Sequence, residues 1–162
     1  IVNIVCDIYT TAIRGIPVTV LLMIFYFIIF VSDTTGIMTA IIAFGINSGA
    51  YMAELIRSGL NAVDKGQMEA ARSLGMSKGQ AMKKIIFPQA IKNIMPSIGN
   101  EFVVNIKDSS VLSVIAITEL MFVSKQAGGA YAKFVPAYVI CAIIYFILTI
   151  NTKIHKNPSN YF

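Results

Sequence analysis

The chain has 162 residues, of which 56% are hydrophobic and only 13% charged, with a mean hydropathy of +0.73. Soluble domains carry roughly 25% charged residues, so this composition points away from an unusually apolar soluble domain and toward helices in a bilayer. The net charge of +5 does not indicate nucleic acid, because the basic residues flank apolar runs and are not interleaved with aromatics in a stacking platform. Cys6 and Cys141 lie far apart in apolar surroundings, without a CxxC or Cys/His cluster, so neither a disulfide nor a metal site is expected. His155 falls in a polar tail and reads as solvated. No basic segment leading into an apolar run and a cleavage site opens the chain, so no signal peptide is expected. The start at Ile1 reads as a cut within a longer protein.

Ile16 to Val31 is the first apolar run, interrupted only by Pro17 and Thr19; Pro17 sits near its start, where a helix tolerates proline. After a turn-like link from Ser32 to Gly36, Ile37 to Ile56 forms a second run of the length that crosses a bilayer core of about 30 Å. Arg57 to Lys92 then holds seven of the thirteen basic residues, which places it in the cytoplasm by the positive-inside rule. The last run, Phe134 to Ile150, is followed by Lys153 and Lys156 and also ends inside. Gly128 and Gly129 predict a loop before it. One crossing must then lie between Ile94 and Lys125, too long for a single straight span. Asn105, Lys107, Asp108, Ser109 and Ser110 in its middle predict a broken crossing with irregular backbone at Lys107 to Ser110. The expected spans are thus 16–32, 37–57, 94–125 (broken) and 134–151, with a cytoplasmic loop at 58–93.

The loop carries two capping-box spacings, Asp64 with Gln67 and Ser77 with Gln80. Gly75 can end the first helix in a left-handed conformation. Ala81, Met82, Ile85 and Ile86 form an apolar face in the second helix, and Pro88 is expected to end it after Phe87. Two readings stay open on these grounds: an amphipathic connector lying on the membrane surface, or a hinged knob projecting toward a partner protein.

The loop reads EAARSLGMSKGQAMKKIIFPQA. It resembles the EAA loop of ABC importer permeases, in which EAA, three residues, Gly, nine residues and Ile-x-Leu-Pro follow in order. Glu69, Ala70, Ala71, Gly75, Ile85 and Pro88 fall at matching positions over 20 residues, with Phe87 in place of leucine. IRGIP at Ile13 to Pro17, NSGAYMAELIRSGL at Asn47 to Leu60 and IKDSSVLSVIAITEL at Ile106 to Leu120 resemble the polar amino acid uptake family (glutamine, glutamate, arginine, histidine or cystine type). The resemblance runs from about Tyr9 to Thr149. It implies an all-α membrane protein with the type I ABC importer permease core. The family has one more membrane helix before the RGTP segment, where this chain has only Ile1 to Asp7, so that helix is expected to be missing here. The family's Arg/Glu-rich ending is also not matched after Lys153.

The resemblance implies a non-enzymatic, multi-pass subunit of a bacterial cytoplasmic membrane, with the EAA loop and C-terminus in the cytoplasm. The chain has no GxxxxGK(S/T) phosphate loop, so ATP and Mg are expected on partner ABC ATPase subunits. The other implied partners are a second permease subunit, identical or different, an extracytoplasmic substrate-binding protein and an amino acid substrate. Coupling to the ATPase falls to Glu69, Ala70, Ala71, Gly75 and Pro88. Polar residues within a membrane are functional candidates by default, which selects Asn47, Glu101, Asn105, Asp108 and Ser109 for the substrate pathway. Against this, Asn47 and Asn105 can equally serve as interhelical hydrogen-bonding groups, and Ser109 and Ser110 can satisfy broken backbone. Lys107 can pair with Asp108 or snorkel, and Glu54 reads as an ion pair with Arg57. The rivals are a permease of another ABC importer class (peptide or metal), an ATPase-independent channel or carrier, an intramembrane enzyme and a membrane anchor. No HExxH, GxSxG or aspartate pair supports an enzyme, and an anchor has no use for intramembrane polar residues.

Overall fold

The computed structural model describes residues 2–31 and 36–154 and contains only helices among them. The expected turn at 32–35, His155, Lys156 and the tail lie outside the described residues.

The amino-terminal segment holds more structure than the apolar pattern suggests. Val2–Gly15 forms a helix, α1, with its own apolar stripe. Pro17 then sets the direction of the chain: its φ of −57° and ψ of 136° leave the helical region, and its carbonyl accepts the amides of Val20 and Leu21 at 2.9 and 3.1 Å. α2 (Val18–Ile24) starts from that cap and continues through a π turn over Phe25–Ile29. The two arms, Asn3–Gly15 and Val18–Ile29, meet at 104°. Pro17 thus marks a corner between two helices, because the residue before a proline is pushed out of the α region.

α3 (Gly36–Asn61) is a single rod of 26 residues, about 39 Å long at 1.5 Å per residue. Its buried side is made of Thr39, Ala40, Ala43, Asn47, Ala50 and Gly59, small residues at helical spacing that let a neighbouring backbone come close, as membrane helices do without a hydrophobic driving force. The neighbour is α6 (Phe87–Asp108). Where the two helices touch at Gly59, a Cβ would lie 2.2 Å from Ile94 Cγ2 and 3.1 Å from the Ala90 carbonyl oxygen.

Past α6 the backbone leaves the α-helix only at Ser109; Lys107 and Asp108, expected in irregular backbone, are the last two residues of α6, because the helical hydrogen bonding continues through them. A 3₁₀ segment, Ser109–Ile115, ends at Ala116 with φ 58°, and α7 (Leu120–Ala130) follows. Ile115 seats this irregular segment against Leu22, Ala40 and Ala43, and Ser109 to Ser113 are half-buried beside it.

Two expectations need correction. Gly128 and Gly129 are not in a loop but inside α7; the connection to α8 (Phe134–Ile154) is only residues 131–133, with Ala132 at φ 52°. Gly128 is needed for packing, since a Cβ there would meet Phe134 Cδ1 at 2.8 Å. Pro88 does not end a helix either. α5 (Lys78–Ala81) passes through a π turn, Met82–Ile86, directly into α6. The wider turn lets Phe87 donate to Met82, five residues back, and Pro88 falls in the first turn of α6, where its missing N–H costs little. Gln89 Nε2 donates to the Ile85 carbonyl at 3.1 Å.

Among the described residues two helices are long and apolar enough to cross a membrane, Gly36–Asn61 and Phe134–Thr152; the bent pair α1–α2 makes a third candidate if taken as one span. Phe134–Thr152 is almost wholly exposed within the chain, as a helix facing lipid or a second subunit would be.

Candidate functional site

Two features carry the candidate residues: the loop between α3 and α6, and a polar cleft beneath α1.

In the loop, Asp64 caps α4 (Lys65–Ser73) by accepting the Gly66 amide at 2.6 Å. The reciprocal bond expected from Gln67 does not form, because the Gln67 side chain instead accepts Gln89 Nε2 at 3.3 Å and ties α4 to the base of α6. At Ser77 the full box is present: its Oγ accepts the Gln80 amide at 3.2 Å, and Gln80 Oε1 accepts the Ser77 amide at 2.9 Å. Between the caps, Gly75 adopts φ +83°. Met76 donates to the Ala71 carbonyl at 3.2 Å and Gly75 to that of Arg72 at 3.0 Å. This is the paired closure of a Schellman turn, which takes a left-handed residue, usually glycine, at Gly75's position.

The loop is also held from below. Ile86 and Ala90 are buried against Val63, with Leu60, Met68 and Ile85 packed around them. Most of the apolar face predicted for the second helix is thus spent inside the chain and is not free to lie on a bilayer. The tip is left outside: Glu69, Ala70, Gly75 and Pro88 are exposed, Leu74 is 84% exposed, and Ala71 packs inward.

The second feature is a cleft of about 380 Å³ where the end of α1 and the Pro17 corner meet α3 and α6. Asn47 and Tyr51 on α3, Glu101 and Asp108 on α6, and Arg14 on α1 line it. Glu101 and Asp108 are seven residues apart, two turns along one face of α6. Asn47 is 5% exposed and lines the cleft beside these carboxylates.

The five pathway candidates therefore divide. Asn47, Glu101 and Asp108 share the cleft. Asn105 does not line it, since its Oδ1 accepts Ser48 Oγ at 3.1 Å and joins α6 to α3. Ser109 also lies outside it and donates to the Ile106 carbonyl at 2.7 Å, as expected of a serine beside broken backbone. Lys107 is exposed and makes no ion pair with Asp108.

Glu54 pairs with Arg57 through two contacts, 3.0 and 2.6 Å. Arg14 approaches the same carboxylate at 3.6 Å and lies over the Tyr51 ring at 5.4 Å. Arg14, Tyr51 and Glu119 were not among the candidates from sequence. Nothing in the local pattern brings Arg14 to α3, because it depends on the corner at Pro17. Glu119 caps α7 by accepting the amides of Met121 and Phe122 at 2.7 and 2.5 Å, and accepts Tyr145 Oη at 3.1 Å from α8. An N-cap acid before an apolar run was a legible signal there.

Residues 1–154 match the family described as the binding-protein-dependent transport system inner membrane component. The chain belongs to this family. This inner membrane component is 40% identical over 149 residues to the arginine transport system permease protein ArtQ of Bacillus subtilis, covering 90% of the chain and 68% of that protein. It is 38% identical over 151 residues to the probable glutamine ABC transporter permease protein GlnM of the same organism, covering 92% and 70%. It thus spans about two thirds of the length of these relatives. Among solved structures it superimposes with a TM-score of 0.88 on a chain from the crystal structure of an amino acid ABC transporter with histidines, at 41% identity, over 94% of this chain and 72% of that one. The helical fold is therefore that of the type I permease core.

Proposed function

We propose that this inner membrane component is the transmembrane subunit of an ATP-driven importer of polar amino acids. The observation that carries the reading is the loop from Asp64 to Pro88: two capped helical ends hinged at Gly75, braced on Val63 and presenting Leu74 to the outside. A rigid exposed tip supports docking into a groove of an ATPase, and the packed apolar face beneath it favours the knob over a surface-lying connector. In this reading Glu69, Ala70, Gly75 and Pro88 face the ATPase, and Ala71 holds α4 against its support. The loop and the C-terminus lie in the cytoplasm, following the seven basic residues of Arg57 to Lys92. ATP and Mg bind the partner, a second permease subunit completes the pathway, and an extracytoplasmic binding protein delivers substrate.

Asn47, Glu101 and Asp108 form the polar part of the pathway within this chain. A buried amide and two carboxylates suit the ammonium end of an amino acid, and they suit an apolar or anionic cargo poorly. The test is uptake of labelled amino acids into proteoliposomes holding the whole transporter, with ATP inside and binding protein outside. Accumulation should require both. Accumulation without ATP would instead mark a channel or carrier, and transport of peptides or metal ions alone would move the subunit to another importer class.

A further inference from the structure

Arg14 is a cation in a cleft whose other charged side chains are acidic, and its guanidinium, though ion-paired with Glu54, keeps its hydrogen-bond donors open. Its neighbour Glu54 already gives both carboxylate oxygens to Arg57, at 3.0 and 2.6 Å. The remaining contact, from Arg14 Nη1 to Glu54 Oε2, is 3.6 Å, beyond hydrogen-bonding reach. Among the described residues no hydrogen bond uses the Arg14 side chain. The group is nonetheless held in place. Tyr9 Oη donates to the Ile46 carbonyl at 2.7 Å and pins α1 to α3, while the Tyr51 ring lies 5.4 Å beneath the guanidinium in cation–π contact. Neither Glu101 nor Asp108 forms an ion pair with it, although all three line the same cleft.

A positioned guanidinium with open donors matches a planar carboxylate, which it can grip with two parallel bonds. We propose that Arg14 receives the α-carboxylate of the transported amino acid in the cleft it shares with Glu101 and Asp108. This makes Arg14 a specificity-determining residue and rests on the amino acid reading above. It also assigns a ligand contact to α1, on the amino-terminal side of the Pro17 corner.

The experiment is equilibrium binding to the assembled transporter in nanodiscs without binding protein, using tritiated L-arginine and L-glutamine competed by the α-carboxamides of the same amino acids. The wild type should prefer the acid over its carboxamide by about tenfold or more, the scale of a hydrogen bond to a charged group. Arg14→Gln should lower affinity for the acid by a similar factor and bring the acid-to-amide ratio close to one. Glu54→Gln, which breaks the ion pair but keeps Arg14, should retain the ratio and so separate ligand contact from a clamp between α1 and α3. ATP hydrolysis by each variant reports assembly. Should Arg14→Gln fail to assemble, Arg14→Lys keeps the charge without the fork and should lower the ratio about threefold. A wild-type ratio in the assembled Arg14 variant, or an equal loss in Glu54→Gln, overturns the proposal. A wild-type transporter that neither binds nor transports any amino acid removes the amino acid reading itself, and this proposal with it.

Discussion

Gly75 can be required for its backbone conformation or for the room it leaves a partner, and two substitutions separate these roles. Its φ of +83° lies in the left-handed region, where an alanine costs roughly 1–2 kcal/mol. That shifts the closed turn toward open forms by about 5- to 30-fold. Asparagine tolerates this region much better, but carries a larger side chain. Within the chain a Cβ at Gly75 meets nothing within 4 Å, so neither substitution clashes internally and the added atoms point outward. If the tip docks closely on an ATPase, Gly75→Asn keeps the turn and blocks the approach, and Gly75→Asp adds a charge to the same block. Uptake should fall at least tenfold in both, while Gly75→Ala loses less. The assay is uptake by proteoliposomes with ATP hydrolysis followed in parallel, and immunodetection of the permease to show that it remains in the membrane. Uncoupling appears as hydrolysis without uptake. Wild-type uptake by Gly75→Asn and Gly75→Asp, with loss in Gly75→Ala, would refute the docking argument and leave only a conformational role.

Three further outcomes are expected. Gly59→Ala places a Cβ 2.2 Å from Ile94 Cγ2 and should destabilise the α3–α6 pair by about 1–3 kcal/mol; adding Ile94→Ala should restore part of this, read as the unfolding midpoint of the purified complex. Glu119→Ala removes the α7 cap and the partner of Tyr145 and should cost about 1–2 kcal/mol, whereas Tyr145→Phe, which spares the cap, should cost less in the same melt. Asp108→Asn should weaken amino acid uptake without reducing co-purification of the ATPase; unchanged uptake would remove Asp108 from the pathway.

The loop was largely legible before folding because its signals are local. Asp64, Gly75, Ser77 and Gln80 act through bonds that span five residues or fewer, so residue type and spacing suffice to read them. The exceptions show where locality ends. Gln67 had the spacing of a capping box, but a distant partner, Gln89, claimed its side chain. Pro88 had the look of a helix stop, but the π turn at Met82–Ile86 absorbed it.

The amino-acid sequence by itself determined the membrane class, the concentration of basic residues between Arg57 and Lys92 and the hinge at Gly75. Each follows from hydropathy, charge or backbone chemistry within a few neighbouring residues. Only the tertiary structure decided which polar residues face a shared space. Asn47 and Asn105 look alike in the chain, yet one lines the cleft and the other is taken by Ser48. Arg14 reaches Tyr51 and Glu54 only because Pro17 turns the helices through 104° and Tyr9 pins α1 to α3. A cleft is made where elements distant in sequence meet, and helical periodicity within one segment carries no information about which face another segment will cover.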